Sequence, residues 1–185
     1  FCAPISSTGA MTARCLVIVT PDGQRSMATY LGACLELGPE DIDEGIISGH
    51  HIVYLEGYLW DSPKATAVIS KAIGIAKANN RKVALTLSDS LCVDRHRESF
   101  QGLIHKNVDI LFANEEEITS LYQVDSVDKA IDLGRANCNL LAVTCGAAGS
   151  IVASSDHVNR IEATPVKKVV DTTGAGDLYA AGFLF

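Results

Sequence analysis

The chain has 185 residues, 48% hydrophobic and 20% charged, with a formal net charge of −7. That balance fits one ordinary globular domain, or most of a larger one. An acidic chain without a basic stripe is a poor match for nucleic acid, no apolar run approaches the ~20 residues that span a bilayer, and no signal-peptide pattern is present.

The chain opens on FCAPISSTGAMTARC, with no initiator Met, and stops inside an apolar helical pattern, AAGFLF, without a C-cap. It therefore reads as a piece of a longer chain. CLVIVT, the turn PDGQ and RSMATYL predict a hairpin over 15–32, an edge or protruding β element. GPEDIDEGII, with Pro39 at its start and acids in its first turn, predicts a helix. HIVYLEG predicts a buried strand. The next segment predicts a helix capped by Ser62 with Pro63 at its first position, burying Ala65, Val68, Ile69, Ala72, Ile73 and Ala76 at helical spacing. KVALTLS, VDILFAN and NLLAVTCG read as further strands, and SIVAS as another. DRHRESFQGLIHK, EEEITSLYQ and SVDKAIDLGRAN read as helices. Strands that are apolar throughout and alternate with helices indicate a mostly parallel sheet covered by helices, the α/β class.

In such a sheet, ligands bind beyond the carboxyl ends of the strands. Three loops there carry chemistry. In DTTGAGD, Gly174 and Gly176 let successive N–H groups face one point at a helix start, an anion site, with Asp177 directly after it. Asp177 is either a dipole partner or a base for an attacking hydroxyl. In FANEEEI, Asn114 and Glu117 sit three apart, a spacing that suits either a hydrated Mg²⁺ or a plain helix cap. In VTCGAAGS, Thr144, Gly146 and Gly149 imply close backbone approach. The strand expected after them, and the missing G-x-G-x-x-G, argue against an NAD-dependent oxidoreductase.

The remaining features carry plainer readings. The six cysteines Cys2, Cys15, Cys34, Cys92, Cys138 and Cys145 form no C-x-x-C pair and read as buried reduced thiols of a cytoplasmic protein. His50, His51, His96 and His105 show no metal-ligand spacing. DRHRE reads as a solvated helix face. Tyr58 and Trp60 either line a pocket or simply pack.

Taken together, DTTGAGD, NEEE and TCGAAG, in their order along the chain, resemble the ribokinase-like (PfkB-type) family of sugar and nucleoside kinases. VTPDGQRSMATYLGA and ALTLSDSLCVDRHR resemble its adenosine-kinase-related branch. The resemblance covers 1–185 and implies a Rossmann-like three-layer α/β/α sandwich with part of a small β lid, the hairpin over 15–32. It implies transfer of the ATP γ-phosphoryl to a primary hydroxyl of a sugar or nucleoside. Asp177 would be the base and Gly174, Ala175 and Gly176 the anion hole. Asn114 and Glu117 would organise Mg²⁺ through water, and Thr144, Gly146 and Gly149 would line the nucleotide. Arg25 would reach phosphate from the lid. Asp171 and Thr173 would flank a monovalent-cation site for K⁺, as in several members. A homodimer through the lid is a further expectation. The family's glycine-rich substrate segment and the elements completing its adenine pocket have no counterpart in this chain, so the chain alone is expected to show little activity. The competing reading is a non-catalytic nucleotide-binding remnant of the same fold.

Overall fold

The computed structural model describes residues 6, 8–21 and 25–185. They fall into two compact units, Gly38–Ala163 and Phe1–Leu37 with Thr164–Phe185.

The larger unit is built on a six-stranded sheet: β3 (Ile52–Glu56), β4 (Lys82–Thr86), β5 (Ile110–Asn114), β6 (Leu140–Thr144), β7 (Ser150–Ala153) and β8 (Val158–Ile161). The spatial order follows the chain order. Pairings from β3 to β6 are parallel, and β7 and β8 return antiparallel. The helices α2 (Ala65–Ala78), α3 (Ser90–Asn107), α4 (Glu115–Tyr122) and α5 (Val127–Arg135) provide the crossovers, as parallel neighbours require. The expected α/β class and mostly parallel sheet are thus present.

One core joins the sheet to these helices. Leu55, Val83, Leu85, Leu111, Ala113, Leu141 and Val143 alternate along the strands and meet Ile69 and Ile73 of α2, Phe100 and Ile104 of α3, and Ile118, Leu121 and Ile131 of α4 and α5. Val83, Leu85, Leu111, Leu141 and Val143 have no exposed surface, and each such aliphatic side chain contributes about 1.5–3 kcal/mol on burial. All six apolar positions predicted for α2 are buried.

Asp109, buried just before β5, ties the amino ends of two strands together. Its carboxylate accepts the Val83 N–H at 2.9 Å, Lys77 Nζ at 3.0 Å, and Lys82 Nζ and Asn139 Nδ2 at 3.3 Å. Burial would raise its pKa, but these donors hold it below the usual carboxylate value. Asp109→Asn keeps one acceptor and loses the charge. It is expected to cost about 1–2 kcal/mol in urea unfolding, with the loss fading as pH falls and the carboxylate protonates; an unchanged midpoint at pH 7 would contradict this.

Local predictions fail where turn geometry intervenes. GPEDIDEGII breaks into a 3₁₀ turn, Pro39–Asp41, and a short helix α1, Glu44–Ser48, because Asp43 caps the second piece by accepting the Ile46 N–H at 2.8 Å. Ser62 does not cap α2; it closes the preceding 3₁₀ turn, Gly57–Asp61, its Oγ has no partner, and α2 begins at Ala65. α3 starts earlier than its sequence pattern suggests, because Asp89 accepts the Cys92 N–H. β8 carries no legible pattern: VNRI is short and exposed throughout.

The smaller unit holds β1 (Arg14–Val19) and β2 (Arg25–Tyr30), an antiparallel pair with Arg14 opposite Tyr30 and Val19 opposite Arg25. The pair spans Arg14 to Tyr30, and Asp22, Gly23 and Gln24 of the PDGQ segment lie outside the described residues. All its strand residues are exposed, Leu16 and Ile18 most strongly at 72% and 69%. The same unit ends in α6 (Ala175–Leu184), which buries Ala180 and leaves Leu178 exposed.

Candidate functional site

The expected site residues divide between the two units. In the smaller one, Gly174 stands at the N-cap of α6 with φ +75°, a left-handed conformation that favours glycine. A Cβ there would meet nothing closer than Asp177 Oδ2 at 3.9 Å, so the constraint is the backbone angle and not space. No side chain caps the helix. The Ala175 N–H is turned back onto Thr172 O at 3.1 Å, and Leu178 N–H bonds Gly174 O at 2.9 Å. Asp177 lies in the first helical turn and is exposed. Asp171 Oδ1 accepts both the N–H and the hydroxyl of Thr173, at 2.8 and 2.7 Å. Those bonds hold its carboxyl below the ordinary value. Arg25 donates to Thr172 Oγ1 at 2.7 Å, so β2 and the glycine turn meet within this unit.

In the larger unit, Asn114 ends β5 opposite Thr144 of β6. Asn114 and Glu117 form a reciprocal cap. Asn114 Oδ1 accepts the Glu117 N–H at 2.8 Å, while the Glu117 carboxylate accepts the Asn114 N–H at 3.0 Å and its Nδ2 at 2.7 Å. The cap reading of this motif is therefore realised, and it places a carboxylate that is only 6% exposed at the carboxyl edge of the sheet. Burial pushes the Glu117 pKa up to about 7; the Asn114 N–H opposes that, and the charges of Asp89, Glu56 and Glu116 add to it.

The Thr144 loop turns through Gly146 (φ +53°) and Gly149 (φ +102°). A Cβ on Gly149 would fall 1.9 Å from Ile161 O and 2.7 Å from Ala163 N. The close approach predicted there occurs at Gly149, where the chain's own backbone at the end of β8 and just beyond it supplies it; a Cβ on Gly146 would meet nothing within 4 Å. The strand β7, not a helix, follows this loop, which is the opposite of what a dinucleotide fingerprint needs.

Glu56, Gly57, Ser88 and Asp89 at the same edge escape a reading by sequence. Glu56 ends β3 and accepts a bond from Ser88 Oγ. Ser88 has φ +74°, and Tyr58 Oη donates to Asp89 Oδ2 at 2.6 Å. Gly57 is required between them, since its Cβ would lie 2.7 Å from Leu87 O and from Ser88 Oγ. The only signal is position: LEG closes β3 and LSD directly follows β4. Tyr58 belongs to this edge, whereas Trp60 packs in the core, its ring 4.8 Å from that of Phe100 and its Nε1 bonded to Ser99 Oγ at 2.9 Å.

A family model described as pfkB family carbohydrate kinase matches residues 4–185. The chain belongs to the pfkB carbohydrate kinase family. Adenosine kinase from Sinorhizobium meliloti has a structure similar to this pfkB-family chain, with TM-score 0.93 and 49% identity over 95% of the chain and 54% of its own. A probable sugar kinase from Rhizobium etli gives TM-score 0.91 and 46% identity over 93% of the chain and 52% of its own. Adenosine kinase from Schizosaccharomyces pombe is 26% identical over 204 residues, covering 98% of this chain and 57% of that protein. The pfkB chain thus spans little more than half the length of these relatives, and has their fold.

Two plain readings need correction. DRHRE is not simply solvated: Arg95 and His96 both bond Asp61, and Arg97 Nε donates to Ser120 O at 3.0 Å. Among the described cysteines, Cys92 and Cys138 are buried, but Cys15 and Cys34 are exposed; all are free thiols. Among the described residues no helix is long and apolar enough to cross a membrane.

Proposed function

We propose that the protein transfers the γ-phosphoryl of ATP to a primary hydroxyl of a sugar or nucleoside, adenosine being the first acceptor to try. The observation that carries this reading is the glycine-built start of α6, without a side-chain cap, and Asp177 in its first turn. Donors left at a helix start suit a transferring phosphoryl, and the exposed carboxylate beside them suits proton removal from the attacking hydroxyl. Because Ala175 N–H is engaged by Thr172, the anion hole draws first on Gly174 and Gly176.

Glu117 fits a hydrated Mg²⁺. A buried carboxylate whose ionisation is opposed by Asp89, Glu56 and Glu116 is relieved by a cation, and Mg²⁺ needs few protein ligands because it keeps its waters. Glu117, with Asn114 orienting it, would hold those waters. The ion would supply charge neutralisation at the phosphates. Asp171, kept ionised by Thr173, is the group for a K⁺ site. Thr144 and Gly146 would contact the nucleotide, and Arg25 would approach phosphate. The exposed apolar edge of the β1–β2 hairpin suits a lid that pairs with a second copy.

The test is acceptor-dependent ADP formation by the intact protein with Mg-ATP and K⁺, across adenosine, other nucleosides, ribose, fructose and related sugars. ADP release with one acceptor is expected. ATP binding with no acceptor-dependent release would favour a nucleotide-binding protein that does not catalyse.

A further inference from the structure

Asp61, Cys92 and His96 belong to none of the loops assigned above. Asp61 ends the 3₁₀ turn after β3, while Cys92 and His96 lie four residues apart at the start of α3, which puts them on one helix face. The helix breaks at His96, whose φ of −121° and ψ of 15° leave the helical region. At that break His96 Nε2 lies 2.7 Å from Asp61 Oδ1. The Cys92 thiol is fully buried beneath the pair, its Sγ 3.4 Å from Gly57 O. One nitrogen, one sulfur and one carboxylate oxygen thereby lie within 4.8 Å of one another.

We propose that Asp61, Cys92 and His96 form a site for a thiophilic divalent cation of the zinc type, with its fourth position open to water. Zinc takes this donor set, in which bonds of about 2.0–2.3 Å place neighbouring ligand atoms about 3.3–3.8 Å apart. The nitrogen–oxygen pair is already tighter than that at 2.7 Å, so binding needs a small opening of that pair and an inward turn of the thiol. On binding, the Cys92 S–H bond breaks and its proton goes to solvent, while the ring proton that His96 Nε2 donates to Asp61 Oδ1 moves to Nδ1; the sulfur and the freed nitrogen then bond the metal, and no electron transfer is involved. Because binding releases protons, occupancy falls as pH is lowered.

Arg95 opposes the ion. Its Nη2 bonds Asp61 Oδ2 at 2.8 Å and its Nε bonds Oδ1 at 3.2 Å. A bound metal leaves Arg95 on Oδ2 as an outer partner of the carboxylate and displaces it from Oδ1. This competition separates a metal site from a plain ion pair.

The experiment is titration of the intact, reduced protein with Co²⁺, read by the near-ultraviolet sulfur-to-cobalt charge-transfer band and its loss on adding Zn²⁺. One equivalent is expected to saturate the band. Cys92→Ala and His96→Gln should abolish it, whereas Cys145→Ser and His105→Gln should leave it. Arg95→Gln should tighten binding by about tenfold, since one positive charge beside the ion is removed. Cys92→Ala opens a void in the core, so His96→Gln and Arg95→Gln, on exposed or half-buried side chains and checked by circular dichroism, decide the matter if that variant fails to fold. Absence of the band in both the unaltered protein and Arg95→Gln, or a band unchanged by His96→Gln, would overturn the proposal.

Discussion

Asp177→Asn is expected to lower kcat by ~10²–10⁴, the usual range for a lost general base, while leaving ATP affinity and the fold nearly unchanged. Two readings of this residue make separable forecasts. As a mere partner of the α6 dipole, Asp177 contributes about 0.3–1 kcal/mol to stability, and its removal would leave turnover intact. As the base, it contributes little to stability, because its side chain is exposed and stands at the open start of the helix. The amide keeps the size of the carboxylate and cannot take the proton. Steady-state kinetics with the acceptor found in the panel, run beside thermal unfolding, distinguish them. Normal turnover in the variant would remove Asp177 from the chemistry and leave the glycine turn as a binding feature alone.

The elements readable from sequence are those in which one strong pattern governs. The apolar strands KVALTLS, VDILFAN and NLLAVTCG leave no alternative to a buried sheet, and the helical spacing from Ala65 to Ala76 is reproduced side chain by side chain. Errors gather where a single hydrogen bond outweighs propensity: Asp43 splits one predicted helix, and Asp89 starts another early. The same limit applies to the candidate site. Glycine turns announce themselves, so DTTGAGD and the Gly146–Gly149 loop are visible in the sequence. What each glycine answers to is not: Gly149 accommodates Ile161 O, a contact made by β8, which has no sequence signal. Glu56 and Asp89 are invisible, and the choice left open for Tyr58 is undecided, for the related reason that the three become neighbours only when β3 and β4 lie side by side. The expectation that His96 shows no metal-ligand spacing needs correction: Cys92 stands four residues before it on the same helix, and only Asp61, supplied by another loop, is out of reach of the sequence pattern.

Glu117→Gln is expected to stabilise the protein at pH 8 and to do so far less at pH 5. The Glu117 pKa is raised by burial from 4.5 to about 7. A carboxyl whose folded pKa exceeds its unfolded one contributes stability that is fully present below about 4.5 and is lost as pH rises through about 7. A tenfold change in an ionisation equilibrium is worth about 1.4 kcal/mol, so the penalty carried by the ionised side chain above pH 7 amounts to at most about 3 kcal/mol. Glutamine does not carry it. It can still accept one of the two bonds from Asn114, so the gain at pH 8 is expected to be about 1–3 kcal/mol. Magnesium should reverse the comparison. If the acids Glu56, Asp89, Glu116 and Glu117 are balanced by a cation, millimolar Mg²⁺ raises the Tm of the unaltered protein at pH 8 and raises that of the glutamine variant much less. Thermal unfolding at pH 5 and pH 8, with and without Mg²⁺, reads both effects. A pH-independent difference between the two proteins would show that Glu117 ionises in the ordinary range. Equal Mg²⁺ shifts in both would take the ion away from Glu117, leaving the reciprocal cap with Asn114 as the whole role of this side chain.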